Sequence, residues 1–233
     1  MLVERIEAKW IDAFAEVFRL CGVEPGDECA VLAETQSRGV NVELSELALK
    51  RLGANVFRVT MQTPAQTAPV AIRSTGASDA IGGSAPVIAA LSQVAFIADC
   101  TVEGLLHAPE LPQLLGGGAR TLMVSNEHPD ILERLVPDTA LEAKVKIGPK
   151  MLRGAKEMRV TSAAGTDPTI EVVTAPACST WGYTARPGSI PPWPGGLYLC
   201  FPASRSVNGP LLLVFGSATL LYTTSTPSPI PRP

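Results

Sequence analysis

The strongest constraint on this chain is an alternation of short apolar runs with helical periodicity over its first 150 residues. VERIEAKWIDAFAEVFRLCG spaces its apolar residues three and four apart, the pattern of one helix face, with Gly22 as its stop. ECAVLAE (Glu28–Glu34) is a continuous apolar run of strand length. A helix over 39–54, a strand NVFRVTM (Asn55–Met61), a helix APVIAALSQ and a strand over 94–100 follow. HAPELPQLLGGG then reads as a helix with a glycine stop, 120–126 as a strand and HPDILERLVP as a short helix. Strand–helix units of this length predict an α/β, Rossmann-like fold: a parallel sheet with helices on both faces. They occupy 1–150, the expected N-terminal domain.

Beyond residue 150 the pattern changes. KEMRVTSAAGTDPTIEVV offers two strands around a turn, and GLYLCFPA and GPLLLVFGSATLLYTT add strand-like runs. A partial β-rich domain over 151–225 and a proline-rich tail over 226–233 are expected. Residues 172–233 contain no Asp, Glu or His, and 11 of the 21 prolines fall there. Within them RPGSIPPWPGG (186–196) holds four prolines and three glycines, which excludes a helix or a central strand. It is a shaped loop or a linker.

Composition narrows the function classes. A net charge of −3 gives no basic surface for nucleic acid. The charged N-terminus MLVERIEAKW is unlike a secretory leader, and the apolar run over 211–222, broken by Gly216 and Ser217, is too short to span a bilayer. No membrane partner is expected. Five scattered cysteines without a CxxC pair read as reduced, mostly buried thiols of a cytoplasmic protein.

No strand–helix junction matches GxGxxG or a phosphate-binding loop, and no GxSxG elbow is present. In a parallel sheet, ligands sit beyond the carboxyl ends of the strands. Those ends carry Glu34, Thr35 and Gln36; Met61; Asp99 and Cys100; and Ser125, Asn126 and Glu127. His107 in GLLHAPE and His128 in NEHPD follow two of them and could exchange protons near neutral pH. Each also reads as a solvent-exposed residue at a helix start. They are the chain's two histidines, so a centre of two histidines and a carboxylate would need both in one pocket.

Three stretches together carry a resemblance: GLLHAPELPQLLGGGARTLMVSNEHPDILERLVPD, AKEMRVTSAAGTD and TAPACSTWGYTARPGSIPPWPGG. In this order and spacing they resemble the bacterial 2,5-dihydroxypyridine 5,6-dioxygenase family, itself similar to aminopeptidase T-like metallopeptidases. The resemblance implies an α/β domain followed by a β-rich domain. It also implies a non-haem Fe(II) cofactor, a small aromatic substrate and ring opening with O2 in nicotinate degradation. The family's LLH motif matches Leu105, Leu106 and His107, so Leu106 and His107 are expected in the substrate pocket. His107 is the expected catalytic residue, bonding or deprotonating a ring hydroxyl. Trp193 is expected to stack on the ring, or else simply to pack.

The chain also departs from the family pattern. The family loop resembles PGRWDHWPSG, so Ser189 stands at its arginine position and Pro192 at its histidine position. Thr180 in STWGY stands where the family carries a glutamate. The resemblance places the iron ligands beyond the end of this chain, and no metal-ligating residue is assigned within it. The expected function is therefore a truncated or degenerate relative of the ring-cleaving dioxygenases, inactive alone. The alternatives are a metal-dependent aminopeptidase-like hydrolase and a non-catalytic small-molecule binding or assembly module. Strands cut off from partners, in GPLLLVFG and ATLLYTT, lead to an expectation of oligomers or aggregation.

Overall fold

The computed structural model describes residues 5–65, 76–200, 207–215 and 218–224. The proline-rich tail expected over 226–233 lies outside them. The chain forms two compact units. The first is Met1–Leu141 with Thr180–Gly196; the second is Glu142–Ser179 with Leu197–Pro233. The expected boundary near residue 150 therefore differs from the observed division, because the chain returns to the first unit through the proline–glycine segment.

The first unit begins with α1 (Ala8–Leu20), β1 (Glu28–Glu34), α2 (Gly39–Arg51) and β2 (Asn55–Met61). It continues with α3 (Ala85–Leu91), β3 (Phe96–Asp99), α4 (Leu111–Gly116), β4 (Arg120–Val124) and α5 (Pro129–Arg134). These match the strand and helix expectations, with ends trimmed by a few residues. The chain then forms α6 (Thr139–Val145) and α7 (Ile147–Gly154), two helices the sequence reading missed. The strands β5 (Glu157–Arg159), β6 (Thr169–Glu171), β7 (Ala177–Thr180), β8 (Pro192–Trp193), β9 (Leu197–Cys200), β10 (Val207–Phe215) and β11 (Ala218–Thr224) complete it.

The main sheet has the order β2-β1-β3-β4-β8, and every pair in it is parallel. From Cys29 to Glu34, β1 is buried on both faces, as a central parallel strand must be when helices cover both sides. One apolar cluster joins Phe14 and Phe18 of α1 and Leu44 of α2 to Phe96, Leu132 and Trp193. A second cluster gathers Ala30, Leu32, Ile97, Leu91, Leu105 and Leu114 around α3 and α4. Burying one such large side chain contributes roughly 2 kcal/mol, so the two clusters fix which helix lies on which face. At the foot of the sheet Arg120 is anchored by the carbonyls of Cys21, Gly22 and Ala95 and by Asp27.

The segment RPGSIPPWPGG, expected to form neither a helix nor a central strand, supplies the fifth strand, at the edge of the sheet. Backbone N–H groups of Thr121, Met123 and Ser125 donate to the carbonyls of Ser189, Pro191 and Trp193 at 3.0, 3.1 and 2.9 Å. Proline lacks a donor but keeps its acceptor. An edge strand tolerates proline where its carbonyls accept from the neighbouring strand.

In the second unit β5, β6, β10 and β11 form an antiparallel sheet of order β11-β10-β6-β5, while β7 pairs with β9. Arg159 and Asp167 close the β5–β6 hairpin through two bonds of 2.6 and 2.8 Å. β10 and β11, the two segments expected as edge strands, pair with each other from Gly209–Thr224 to Phe215–Ala218, and β11 is outermost in the sheet among the described residues while β10 lies between β11 and β6. Among the described residues, no helix is long and apolar enough to cross a membrane.

Candidate functional site

The strand order places a reversal between β1 and β3. The connection through α2 leads outward to β2, and the next returns past β1 to β3. Crevices at the carboxyl ends of such strands are the usual ligand sites of open parallel sheets. Here the loop after β3, which runs through Leu105, Leu106 and His107, stands at that end of the sheet.

Two carboxylates build this loop from below. Asp99, at the end of β3, is fully buried. Its Oδ1 accepts the N–H and the hydroxyl of Thr101 at 3.0 and 2.7 Å, and its Oδ2 accepts the N–H of Leu105 at 2.7 Å. Thr101 Oγ1 in turn accepts the N–H of Gly104 at 3.1 Å. Glu34, at the end of β1 and buried, accepts the N–H of Val102 at 2.6 Å. Burial pushes the Asp99 carboxyl up to about 6, against its hydrogen bonds with Thr101 and Leu105.

From the other side the loop is held by Gly76, in the left-handed region at φ +81°. Its N–H donates to the Glu103 carbonyl and its carbonyl accepts the His107 N–H, both at 2.5 Å. A β-carbon at this position would lie 2.8 Å from Leu106 Cβ and 3.2 Å from His107 Cδ2. Glycine is therefore required by close approach as well as by its backbone angle. Leu105 is locked in the core, Leu106 is half-buried and the imidazole of His107 is exposed at the rim.

The other candidates sit elsewhere. His128 is the N-cap of α5: its Nδ1 accepts the Asp130 N–H at 3.2 Å and its ring meets Trp10 edge-on. Trp193 is fully buried, edge-to-face with Phe14 at 4.9 Å, and its indole N–H donates to the Leu135 carbonyl at 2.9 Å. The stacking role expected for Trp193 gives way to packing, since no face of its ring reaches solvent. Trp193 also belongs to the cluster on the α1 face, whereas Leu105 belongs to the cluster on the opposite face. The structure thus keeps Leu106 and His107 together and leaves Trp193 apart from them. Ser189, at the family's arginine position, spends its hydroxyl on the Arg186 carbonyl and Thr184.

Asn41 in the first turn of α2 donates to the carbonyls of Ser125 and Glu127 at 3.2 and 2.9 Å, tying the β4 end to the crevice. Burial pushes the Cys100 thiol, at the end of β3, up to about 12, as it does Cys21 and Cys29 at the opposite end of the sheet. Among the described residues no group of three or more His, Cys, Asp or Glu side chains could hold a metal ion. With the His128 Nδ1 engaged as a cap, these residues do not fit an iron centre of two histidines and a carboxylate.

Sequence reasoning placed Glu34 and Asp99 at strand ends but missed their part in building the loop. Their common target is backbone N–H groups, which carry no residue signature.

Comparison with known proteins agrees with this architecture. The family model of NicX, 2,5-dihydroxypyridine 5,6-dioxygenase, matches residues 9–231. The 2,5-dihydroxypyridine 5,6-dioxygenase of Pseudomonas putida is 30% identical over 219 residues, covering 92% of this chain and 61% of the relative. The solved structure of 2,5-dihydroxypyridine dioxygenase from the same organism superposes with a TM-score of 0.78 at 27% identity. That match covers 89% of this chain and 60% of the other. The chain spans about three-fifths of the length of the relatives it matches. Shared sequence and shared fold together show that this chain belongs to the 2,5-dihydroxypyridine 5,6-dioxygenase family.

Proposed function

We propose that this chain acts in the opening of a dihydroxypyridine ring, as the part that binds the aromatic substrate, and that it does not open the ring alone. The observation that carries this reading is the exposed His107 imidazole on a loop fixed at the sheet's reversal point, within the matched region. A neutral imidazole there can accept a proton from a ring hydroxyl or donate to its oxygen, while half-buried Leu106 offers an apolar contact to the ring. The Fe(II) that such a dioxygenase would use is assigned to no described residue. The five free thiols support a reducing, cytoplasmic setting. We extend the proposal to self-association through β11, an outer strand of its sheet among the described residues.

Titration of the purified chain with 2,5-dihydroxypyridine by calorimetry, beside oxygen uptake in the presence of Fe(II), tests the reading. Saturable binding that His107→Ala weakens about tenfold or more, with no oxygen uptake, is the expected result. Equal binding by His107→Ala removes the pocket assignment. Stoichiometric iron with oxygen uptake removes the claim of inactivity. A monodisperse monomer by light scattering removes the self-association.

A further inference from the structure

We propose that Asp99 and Glu34 are the positioning residues of this site: two buried carboxylates on adjacent strands, bonded to the backbone of one loop, set where the Leu106–His107 corner stands. The inference rests on the reading of His107 as a pocket residue. Neither carboxylate touches the ligand space in this arrangement; each acts through the loop.

The two acceptors are not equivalent. Asp99 uses both oxygens against donors, with Thr101 on Oδ1 and Leu105 on Oδ2. Any amide in its place must turn an N–H toward one of those donors. The Glu34 carboxylate accepts one described bond, at Oε1 from the Val102 N–H. A glutamine can keep that bond through its own carbonyl oxygen. The four donors fall within the five residues 101–105, and His107 lies two residues further on, where Gly76 receives its N–H. Loosening the first turn therefore frees the histidine while the strands keep their pairing. A salt bridge to the carboxylates does not explain their burial: neither takes part in any ion pair found among the described residues.

The test is residue-resolved amide hydrogen exchange and imidazole NMR on the full chain, whose two histidines make His107 assignable against His107→Ala. Asp99→Asn and Glu34→Ala are expected to speed exchange at 101–107 by about tenfold or more, with β1 and β2 amides unchanged and the His107 resonance broadened or shifted. Glu34→Gln is expected to stay within about twofold of the parent, a rescue that simple loss of core packing does not give. Dihydroxypyridine affinity should fall about tenfold in Asp99→Asn and Glu34→Ala but not in Glu34→Gln. Unchanged loop exchange and an unchanged His107 resonance in Asp99→Asn overturn the proposal, as does Glu34→Gln behaving like Glu34→Ala. If Asp99→Asn does not fold, Thr101→Val serves, since it removes one donor to Asp99 and the acceptor of Gly104. Faster exchange at Gly104 and Leu105 then supports the proposal and unchanged exchange overturns it. Failure of the functional reading is separate: it shows as full ligand binding by His107→Ala, whatever the exchange data give.

Discussion

Gly195 and Gly182 meet backbone to backbone: a β-carbon on Gly195 would lie 2.0 Å from the Gly182 nitrogen and 2.4 Å from its Cα. The neighbouring Gly196 N–H donates to the Thr180 carbonyl at 2.8 Å. These contacts clamp the end of the proline-rich segment onto STWGY, so its glycines serve close approach rather than looseness. Gly195→Ala must push backbone against backbone and is expected to cost about 3 kcal/mol, read by urea denaturation. A cost within about 0.5 kcal/mol would show that the clamp is absent.

Trp193 should behave as a core residue. With Trp10 and Trp181 replaced by Phe, its emission should resist acrylamide, because the ring is fully buried. Trp193→Ala is expected to cost roughly 4 kcal/mol. It removes the contact with Phe14 and leaves the Leu135 carbonyl without its indole partner. Quenching as fast as that of free tryptophan would return the ring to the surface and revive a stacking role.

Gly76→Ala places a β-carbon against Leu106 and His107 at a φ that other residues avoid. A cost of about 1–2 kcal/mol is expected, together with a shifted His107 imidazole resonance. A glycine that served only as a flexible turn would leave that resonance in place.

The stability of the chain should fall as pH rises from about 4 to about 6 through Asp99. Its carboxyl sits at about 6 in the folded chain against 3.8 for a free side chain, because burial penalises the charge. The folded state thus holds the proton more tightly. The stabilisation is fully present below the unfolded value and is lost by the folded one. The size is of order 3 kcal/mol. Thermal melts of the parent and of Asp99→Asn across this range should diverge, the variant lacking this component. Parallel curves would place Asp99 at an ordinary carboxylate value.

Much of the first unit was legible in the sequence because its signals are local. The run ECAVLAE became β1 residue for residue, and the spacing of Trp10, Phe14, Val17 and Phe18 announced the buried face of α1. Leu106 and His107 came from the family resemblance rather than from any periodicity. The helices α6 and α7 were missed: they are short, and Gly148 and Pro149 in the first turn of α7 read as a break.

The sequence by itself determined the strands and helices over 8–134 and that their sheet is parallel, since periodicity reflects neighbours a few residues apart. Only the tertiary structure decided the fate of RPGSIPPWPGG and the standing of His107. Whether a run of prolines is a linker or a strand depends on N–H donors at Thr121, Met123 and Ser125, more than sixty residues away in the chain. Whether an exposed histidine is held in place depends on Glu34 and Asp99, whose partners are three backbone amides and the Thr101 hydroxyl. The backbone partners in these bonds are groups that nearly every residue carries, so the sequence alone does not show which carboxylate or carbonyl they meet.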